Sequence, residues 1–74
     1  MEYQERIEIN PDILVGKPII KGTRISIEFI VELLSSGWDI KQILDNYPQL
    51  KREDILAALQ YSLDILKEEK VYKI

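Results

Sequence analysis

Three cations lie close together in the stretch VGKPIIKGTRISIEF, where no acidic residue interrupts the chain between Asp12 and Glu28. Lys17, Lys21 and Arg24 supply the charges, and ammonium and guanidinium groups of this kind bind phosphate. The stretch lacks the glycine spacing and the closing Gly-Lys-Ser/Thr of a P-loop, which argues against a nucleotide site. Two interpretations remain open: the cations face phosphates, or they are structural, with Arg24 pairing with Glu28 or capping carbonyls.

A second group of polar residues opens the last predicted helix, and its chemistry suits the edges of bases. The candidates for contact with DNA are Lys51, Arg52, Glu53, Leu56 and Gln60. In a helix-turn-helix the last helix enters the major groove by its N-terminal residues, where Arg52 would pair with guanine and Gln60 with adenine. Glu53 and Asp54 repel phosphates, so the alternative is a solvated helix start. A monomer with roughly three or four phosphate contacts would bind weakly, so DNA recognition requires a dimer or a partner.

The composition argues against most catalytic chemistry. The chain has no Cys and no His, which removes thiol nucleophiles, imidazole bases and the usual zinc ligands. No Asp-rich loop has calcium-binding spacing. The carboxylates Glu28, Glu32, Asp39 and Asp45 suit helix capping and solvation. We therefore predict a protein without enzymatic activity, cofactor or metal.

Size and charge set the remaining bounds. The 74 residues make one domain, whose small core leaves a thin margin of stability. The formal net charge is −3, no apolar run reaches membrane-spanning length, and the opening MEYQER lacks the order of a signal peptide. A cytoplasmic protein with no membrane partner is expected. The thin core predicts a homodimer, in which the alternating segments RIEI and VYKI pair across subunits.

The elements that must position these residues fall into two parts. Residues 1–25 are predicted to form an extended N-terminal arm with short strands, since ERIEIN alternates in polarity and Lys21-Gly22 suits a turn. Residues 26–70 are predicted to form a three-helix unit. The fold class is therefore mainly α, a helix-turn-helix domain with a short N-terminal β arm.

The corner between the first two helices carries the most specific local pattern. Ser26 is predicted to cap the first helix, and Gly37 to end it in a left-handed conformation. Trp38 then stands where a side chain packs back on the helix, and Asp39 caps the second helix with Gln42 as its partner. A short turn that contains Gly is typical of a helix-turn-helix corner, and we expect Trp38 to lie in the core.

The last helix is predicted to be the longest. The second helix should stop before Pro48, because the residue before a proline resists the α conformation. The segment REDILAALQYSLDILKEE then carries Ile55, Leu59, Leu63 and Leu66 at helical spacing. We expect this apolar stripe to face the core.

The order of these signals matches one known pattern. The matching positions are Gly16-Lys17-Pro18, Ile20, Gly22-Thr23-Arg24-Ile25, Gly37, Ile43-Leu44, Tyr47-Pro48, Leu50, Asp54-Ile55 and Ala57-Ala58-Leu59. They lie between Ile9 and Leu66, and the GKPIIKGTRI core is their most specific part. In these positions the chain resembles the domain of unknown function 433 (DUF433) family, small bacterial and archaeal proteins often described as VapB-type antitoxins.

The resemblance implies a homeodomain-like helix-turn-helix fold with an extended N-terminal arm. It also implies a neighbouring gene for a toxin with a PIN-like nuclease fold, which the antitoxin would neutralise. Relatives often carry Thr where this chain has Lys51. A lysine side chain cannot accept an amide hydrogen, which leaves two interpretations: the last helix begins less firmly here, or Lys51 serves through its charge.

Two functions from different classes follow. The first is a non-enzymatic, dimerising helix-turn-helix antitoxin of a type II toxin–antitoxin pair, which binds a PIN-like toxin and its own operator DNA. The second is a protein-interaction module of the same fold without DNA binding, which the net acidity and the acidic Glu53-Asp54 step favour. The structural turn residues common to both are Gly22, Gly37, Trp38 and Pro48.

Overall fold

The computed structural model describes residues 3–68, and this part of the chain is mainly helical with a small antiparallel sheet at its N-terminal end. The elements in chain order are a 3-10 helix (Tyr3–Arg6), strand β1 (Ile7–Ile9), a 3-10 turn (Leu14–Gly16), strand β2 (Pro18–Ile20) and helices α1 (Ile27–Ser35), α2 (Ile40–Asn46) and α3 (Arg52–Glu68). The predicted order of a short β arm followed by three helices is confirmed. None of these helices has the length and apolar character needed to cross a bilayer.

The N-terminal arm folds back on itself. β1 and β2 run antiparallel, with Ile7 opposite Ile20, so the segment RIEI pairs within its own chain; the segment VYKI lies outside the described residues. β2 leads into a turn at Gly22, whose φ of 83° suits a residue without a side chain, as predicted. Beyond the turn the Ile20 N–H donates to Ile25 O at 2.9 Å, which lays the chain against β2 just before α1 begins.

The corner between α1 and α2 has the predicted geometry. Ser26 Oγ accepts the Phe29 N–H at 2.9 Å and caps the start of α1. Gly37 has a φ of 101°, and the Trp38 N–H donates to Leu33 O at 3.0 Å. This is the bond that closes a Schellman ending, in which the left-handed residue turns the chain away from the helix.

Helix α2 begins and ends where the sequence predicts. The Asp39 carboxylate accepts the Gln42 N–H at 2.8 Å, and the Gln42 side chain accepts the Asp39 N–H at 3.0 Å, which completes a capping box. The helix ends at Asn46, and Tyr47 leaves the α conformation directly before Pro48. The proline therefore stops α2 by restricting the residue that precedes it.

The core lies where α1, α2, α3 and β2 meet. Its buried apolar side chains are Ile19, Ile20, Ile27, Ile30, Ile43, Leu50, Ile55, Ala57 and Ala58. Trp38 is half-buried and packs against this cluster, so the corner contributes to the edge of the core and not to its centre. The two alanines of α3 are fully buried. Side chains this small allow neighbouring elements to approach the helix closely.

The buried face of α3 differs from the prediction. Ile55 is fully buried, but Leu59, Leu63 and Leu66 are 41%, 43% and 67% exposed, so the predicted core stripe was wrong for these three leucines. The buried residues of the helix are instead Asp54, Ile55, Ala57 and Ala58. The reason is that α3 carries apolar residues on two sides, and α1 and the N-terminal 3-10 helix pack against the side that includes Ala57 and Ala58.

Candidate functional site

An ion pair ties the N-terminal 3-10 helix to the start of α3. Arg6 Nη1 donates to Asp54 Oδ1 at 2.9 Å, and the Asp54 side chain is only 7% exposed. The second oxygen, Oδ2, accepts the backbone N–H of Lys51 at 2.9 Å. Both oxygens of this buried carboxylate are thus bound by donors, as a buried charge requires. Asp54 serves as a structural anchor.

Asp54 also changes the expectation that α3 begins weakly because Lys51 precedes it. A lysine side chain cannot cap a helix, which is the basis for predicting a weak start of α3. Asp54 stands at the third helical position and accepts the Lys51 N–H, which is one half of a capping box. The helix therefore begins with this terminal amide satisfied, while the Lys51 side chain remains exposed.

Lys17 pairs with Glu28, the residue predicted as a partner for Arg24. Lys17 Nζ lies 2.9 Å from a Glu28 carboxylate oxygen, and this contact raises the pKa of Lys17. The position of α1 explains the choice of partner. The antiparallel register at the bridge between Ile19 and Ser26 sets the start of α1 beside β2, and the first turn of α1 carries Glu28 close to Lys17.

The same register places Lys21 and Arg24 opposite each other across the turn at Gly22. Both side chains are exposed, and neither forms an ion pair within residues 3–68. The Lys21 N–H donates to Arg6 O at 2.8 Å, so the turn is fastened to the residue that binds Asp54. Two exposed cations on a turn held in this way can contact phosphate.

Lys51 and Arg52 form a second exposed cationic pair, at the start of α3. In the part of the chain that the structure describes, neither makes an ion pair. The Arg6–Asp54 ion pair connects this helix start with the turn at Lys21. The two groups of cations predicted from the sequence are therefore held by one anchor. Arg6 itself was missed, because its partner lies 48 positions away along the chain.

Gln60, the predicted adenine contact, is engaged by a neighbouring carboxylate. Its Nε2 donates to Asp64 Oδ1 at 3.0 Å, and Asp64 Oδ2 also accepts the hydroxyl of Tyr3. The hydrogen bond from Tyr3, followed by that from Gln60, lowers the pKa of Asp64. The same contact raises the pKa of Tyr3 to about 12. Reading adenine needs the amide donor and acceptor of Gln60 together, so this placement does not favour base readout.

The outer side of α3 carries a row of exposed leucines, which we call the leucine face. It consists of Leu56, Leu59, Leu63 and Leu66, which are exposed by 38%, 41%, 43% and 67%. Spacings of three and four residues place these side chains in one line along the helix. An apolar row of this kind is typical of a surface on which another polypeptide docks.

An open groove adjoins the leucine face at the C-terminal half of α3. It has a volume of 460 Å³, and its apolar lining includes Pro18, Ile27, Tyr61, Ile65 and Leu66. Within residues 3–68, no three His, Cys, Asp or Glu side chains cluster as a metal site would require. Glu28 and Ser62 also line the groove, so its lining is mainly but not wholly apolar.

Comparison with known proteins identifies one family. A family model described as "Protein of unknown function (DUF433)" matches residues 7–62. The chain is similar to "Uncharacterized protein y4eO" of Sinorhizobium fredii (strain NBRC 101917 / NGR234), with 30% identity over 59 residues, 80% of this chain and 27% of that protein. It is also similar to the crystal structure of a DUF433 member protein from Anabaena variabilis ATCC 29413, with a TM-score of 0.81 and 34% identity, covering 88% of this chain and 64% of that one. The chain thus spans about a quarter of the curated relative and less than two thirds of the solved one.

Proposed function

Because the chain belongs to the DUF433 family, described as proteins of unknown function, we propose that it is a non-enzymatic binding protein of the antitoxin type. It docks another protein on the leucine face of α3, and this partner is a toxin with a PIN-like fold. The single observation that carries the proposal is the exposure of four leucines along one line of α3. Burial of such a row against a partner is favourable by roughly 25 cal/mol per Å² of apolar surface.

The arrangement of the helices supports a homeodomain-like helix-turn-helix assignment within this proposal. α1 and α2 meet at the corner formed by Gly37 and Trp38, and α3 packs against both helices. In DNA readers of this class the outer face of the last helix carries side chains that reach base edges and phosphates. Here that face carries leucines, with the acidic Glu53 beside its first turn. The outer face of α3 is therefore better suited to contact a protein than to contact the edges of DNA bases.

The carboxylates that contact other elements support a role without catalysis. Asp54 binds Arg6 and a backbone amide, and Asp64 binds Tyr3 and Gln60. Each of these acids holds the N-terminal 3-10 helix against α3. The sequence also contains no Cys or His to serve as a nucleophile or base. The chain's chemistry is that of recognition.

Co-expression with the product of the neighbouring gene tests the proposal. A tagged PIN-like toxin should retain the wild-type chain, and the growth inhibition caused by the toxin should disappear. Combining Leu59→Glu with Leu63→Glu places two charges on the leucine face and should abolish both effects without unfolding the chain, because both side chains are exposed. Lys41→Glu, at an exposed site on α2, is the matched control and should leave both effects intact.

Circular dichroism of the double variant verifies that it remains folded. Retention of the folded double variant by the toxin would contradict the proposed docking face. A neighbouring gene that encodes no small nuclease would contradict the antitoxin role.

Operator binding is a second candidate function, favoured by exposed cations on two segments that one anchor holds together. These cations are Lys21, Arg24, Lys51 and Arg52. A gel shift with the native upstream region at low and moderate salt tests it, alone and with the toxin. Lys21→Gln and Arg52→Gln should each weaken binding and reduce the salt slope by about one. Lys17→Gln is the control, since that charge is paired with Glu28. Absence of binding at low salt would contradict this candidate.

A further inference from the structure

We infer that, in the chain free of toxin, the leucine face is occupied by a second copy of this chain, with the two α3 helices packed antiparallel. The inference rests on the proposed function in one respect, since it takes the leucine face as a protein-binding surface. Leu59 of one copy would pack beside Leu63 of the second copy, and Leu56 beside Leu66, about a two-fold axis. The small core predicts a homodimer. The leucine face supplies its contact surface, and the charged residues beside that face determine the orientation.

The spacing of the leucines is that of a seam between two helices. Where helices pack as a pair, apolar residues recur alternately after three and four positions, and each fills a space between residues of the facing helix. Leu56, Leu59, Leu63 and Leu66 follow this spacing without interruption, and each is at least 38% exposed. The seam covers about three helical turns.

Charges beside the seam select the antiparallel orientation. Glu53, Gln60 and Lys67 lie along one edge of the leucine face at seven-residue spacing, and all three are exposed. When two such helices run antiparallel, this edge of one helix meets the same edge of the other. Glu53 of each copy then faces Lys67 of the second copy, which makes two symmetric ion pairs, and Gln60 lies near the axis.

A parallel arrangement gives no such match. It would bring this edge against the opposite edge of the second helix, where Ile55 is fully buried in its own core and Ser62 is half-buried. A two-fold interface requires a surface that is complementary to itself. Opposite charges placed symmetrically about Gln60 meet that requirement, which is the reason to assign the face to a second copy while no toxin is bound.

Sedimentation equilibrium of the full chain over a range of concentrations tests the pairing. The wild type should dimerise, and Glu53→Lys alone or Lys67→Glu alone should weaken association roughly tenfold, because each replaces two attractive pairs by two repulsive ones. An equimolar mixture of the two single variants should recover wild-type association as a heterodimer. The variant that carries both changes should recover it as a homodimer.

The matched control exchanges the charges of Lys41 and Asp45, an exposed ion pair at 2.9 Å on α2, and should leave association unchanged. A wild-type chain that stays monomeric at every concentration, or single variants that associate as the wild type does, would overturn the inference. The proposed function is judged by a separate readout. If toxin retention is lost when Leu59 and Leu63 are changed while the free chain is monomeric, the docking face stands and the second copy is ruled out as its occupant.

Discussion

Helix α3 has two apolar faces, which differ in side-chain size, burial and role. The inner face carries Ile55, Ala57 and Ala58, all fully buried, beside the nearly buried Asp54. The outer face carries four leucines that are exposed by 38–67%. Four leucines therefore stay exposed while two alanines are fully buried, the opposite of what a ranking by apolar area would predict. When a helix in so small a domain is apolar on both sides, one face is buried in the core and the other remains exposed for a partner to cover.

Close approach explains why the inner face is the one that packs. α1 and the N-terminal 3-10 helix both lie against it, and the two alanines leave room for their backbones. Asp54 is tolerated there because Arg6 and the Lys51 N–H both donate to it. Leucines at the alanine positions would hold α1 away from the helix, so the difference between the two faces arises from packing geometry.

Truncating one residue on each face of α3 should give the largest difference in unfolding free energy between the two faces. Ile55→Ala should lower the free energy of unfolding by about 2–5 kcal/mol, because it leaves a cavity in the core. Leu59→Ala should change it by about 0.5 kcal/mol or less, because the side chain is already exposed. Urea denaturation at a concentration where the chain is monomeric measures both. Equal losses would show that the two faces are not distinct in the isolated chain.

Removal of the buried carboxylate is the next test of the inner face. Asp54→Ala deletes the acceptor for Arg6 and for the Lys51 N–H, and should cost about 1.5–3 kcal/mol of unfolding free energy. Glu53→Ala, an exposed acid in the same first turn, is the control and should cost about 0.5 kcal/mol or less. A similar cost for the two variants would mean that Asp54 acts only through the helix dipole.

The corner that leads from α1, which packs on the inner face, to α2 depends on the left-handed conformation of Gly37. Gly37→Ala should cost about 1 kcal/mol, because a φ of 101° is unfavourable for a residue with a Cβ. A Cβ at this position meets nothing within 4 Å, so the cost is one of backbone conformation alone. Thermal unfolding of this variant beside Ser36→Ala measures the effect. A neutral Gly37→Ala would show that the corner does not need a left-handed residue.

The smallest expected effect is a pH dependence of stability that arises from the hydrogen bond between Tyr3 and Asp64. The pKa of Tyr3 is raised from 10.0 to about 12, so the contact with Asp64 is fully present below pH 10 and is lost as the pH rises towards 12. The pKa of Asp64 is lowered from 3.8, so its contribution is present above that value and is lost as the pH falls below it.

Tyr3→Phe removes the hydroxyl that both shifts depend on. Stability curves of the variant and the wild type should run parallel from pH 5 to pH 9 and converge at either extreme. Curves that stay parallel above pH 10 would contradict the alkaline part of this expectation.

Much of the fold was predictable because its signals are local. The Ser26 cap reaches three residues along the chain, and the Asp39–Gln42 capping box does the same. Gly37 and Pro48 act through the conformations that they permit or forbid at one position. Each of these elements follows from residue type and short spacing, so helix bounds and the corner could be derived without the tertiary structure.

The partners within the candidate site were less predictable, because they are distant in sequence. Arg6 and Asp54 are 48 positions apart, and Tyr3 and Asp64 are 61 positions apart. Glu28 lies four residues from Arg24, yet it pairs with Lys17, because the bridge between Ile19 and Ser26 sets the start of α1 beside β2. A helical spacing or a nearby opposite charge identifies possible partners, and the three-dimensional arrangement selects among them.

The amino-acid sequence by itself determined the caps, the turns, the order of the elements and the presence of apolar residues on two sides of α3. The tertiary structure decided which of those two sides is buried. The physical reason is that helical periodicity records where apolar residues lie around the axis, whereas burial depends on how closely another element can approach. The alanines at positions 57 and 58 let neighbouring elements lie close to α3, and the leucines are thereby left on the surface, where a partner can bury them.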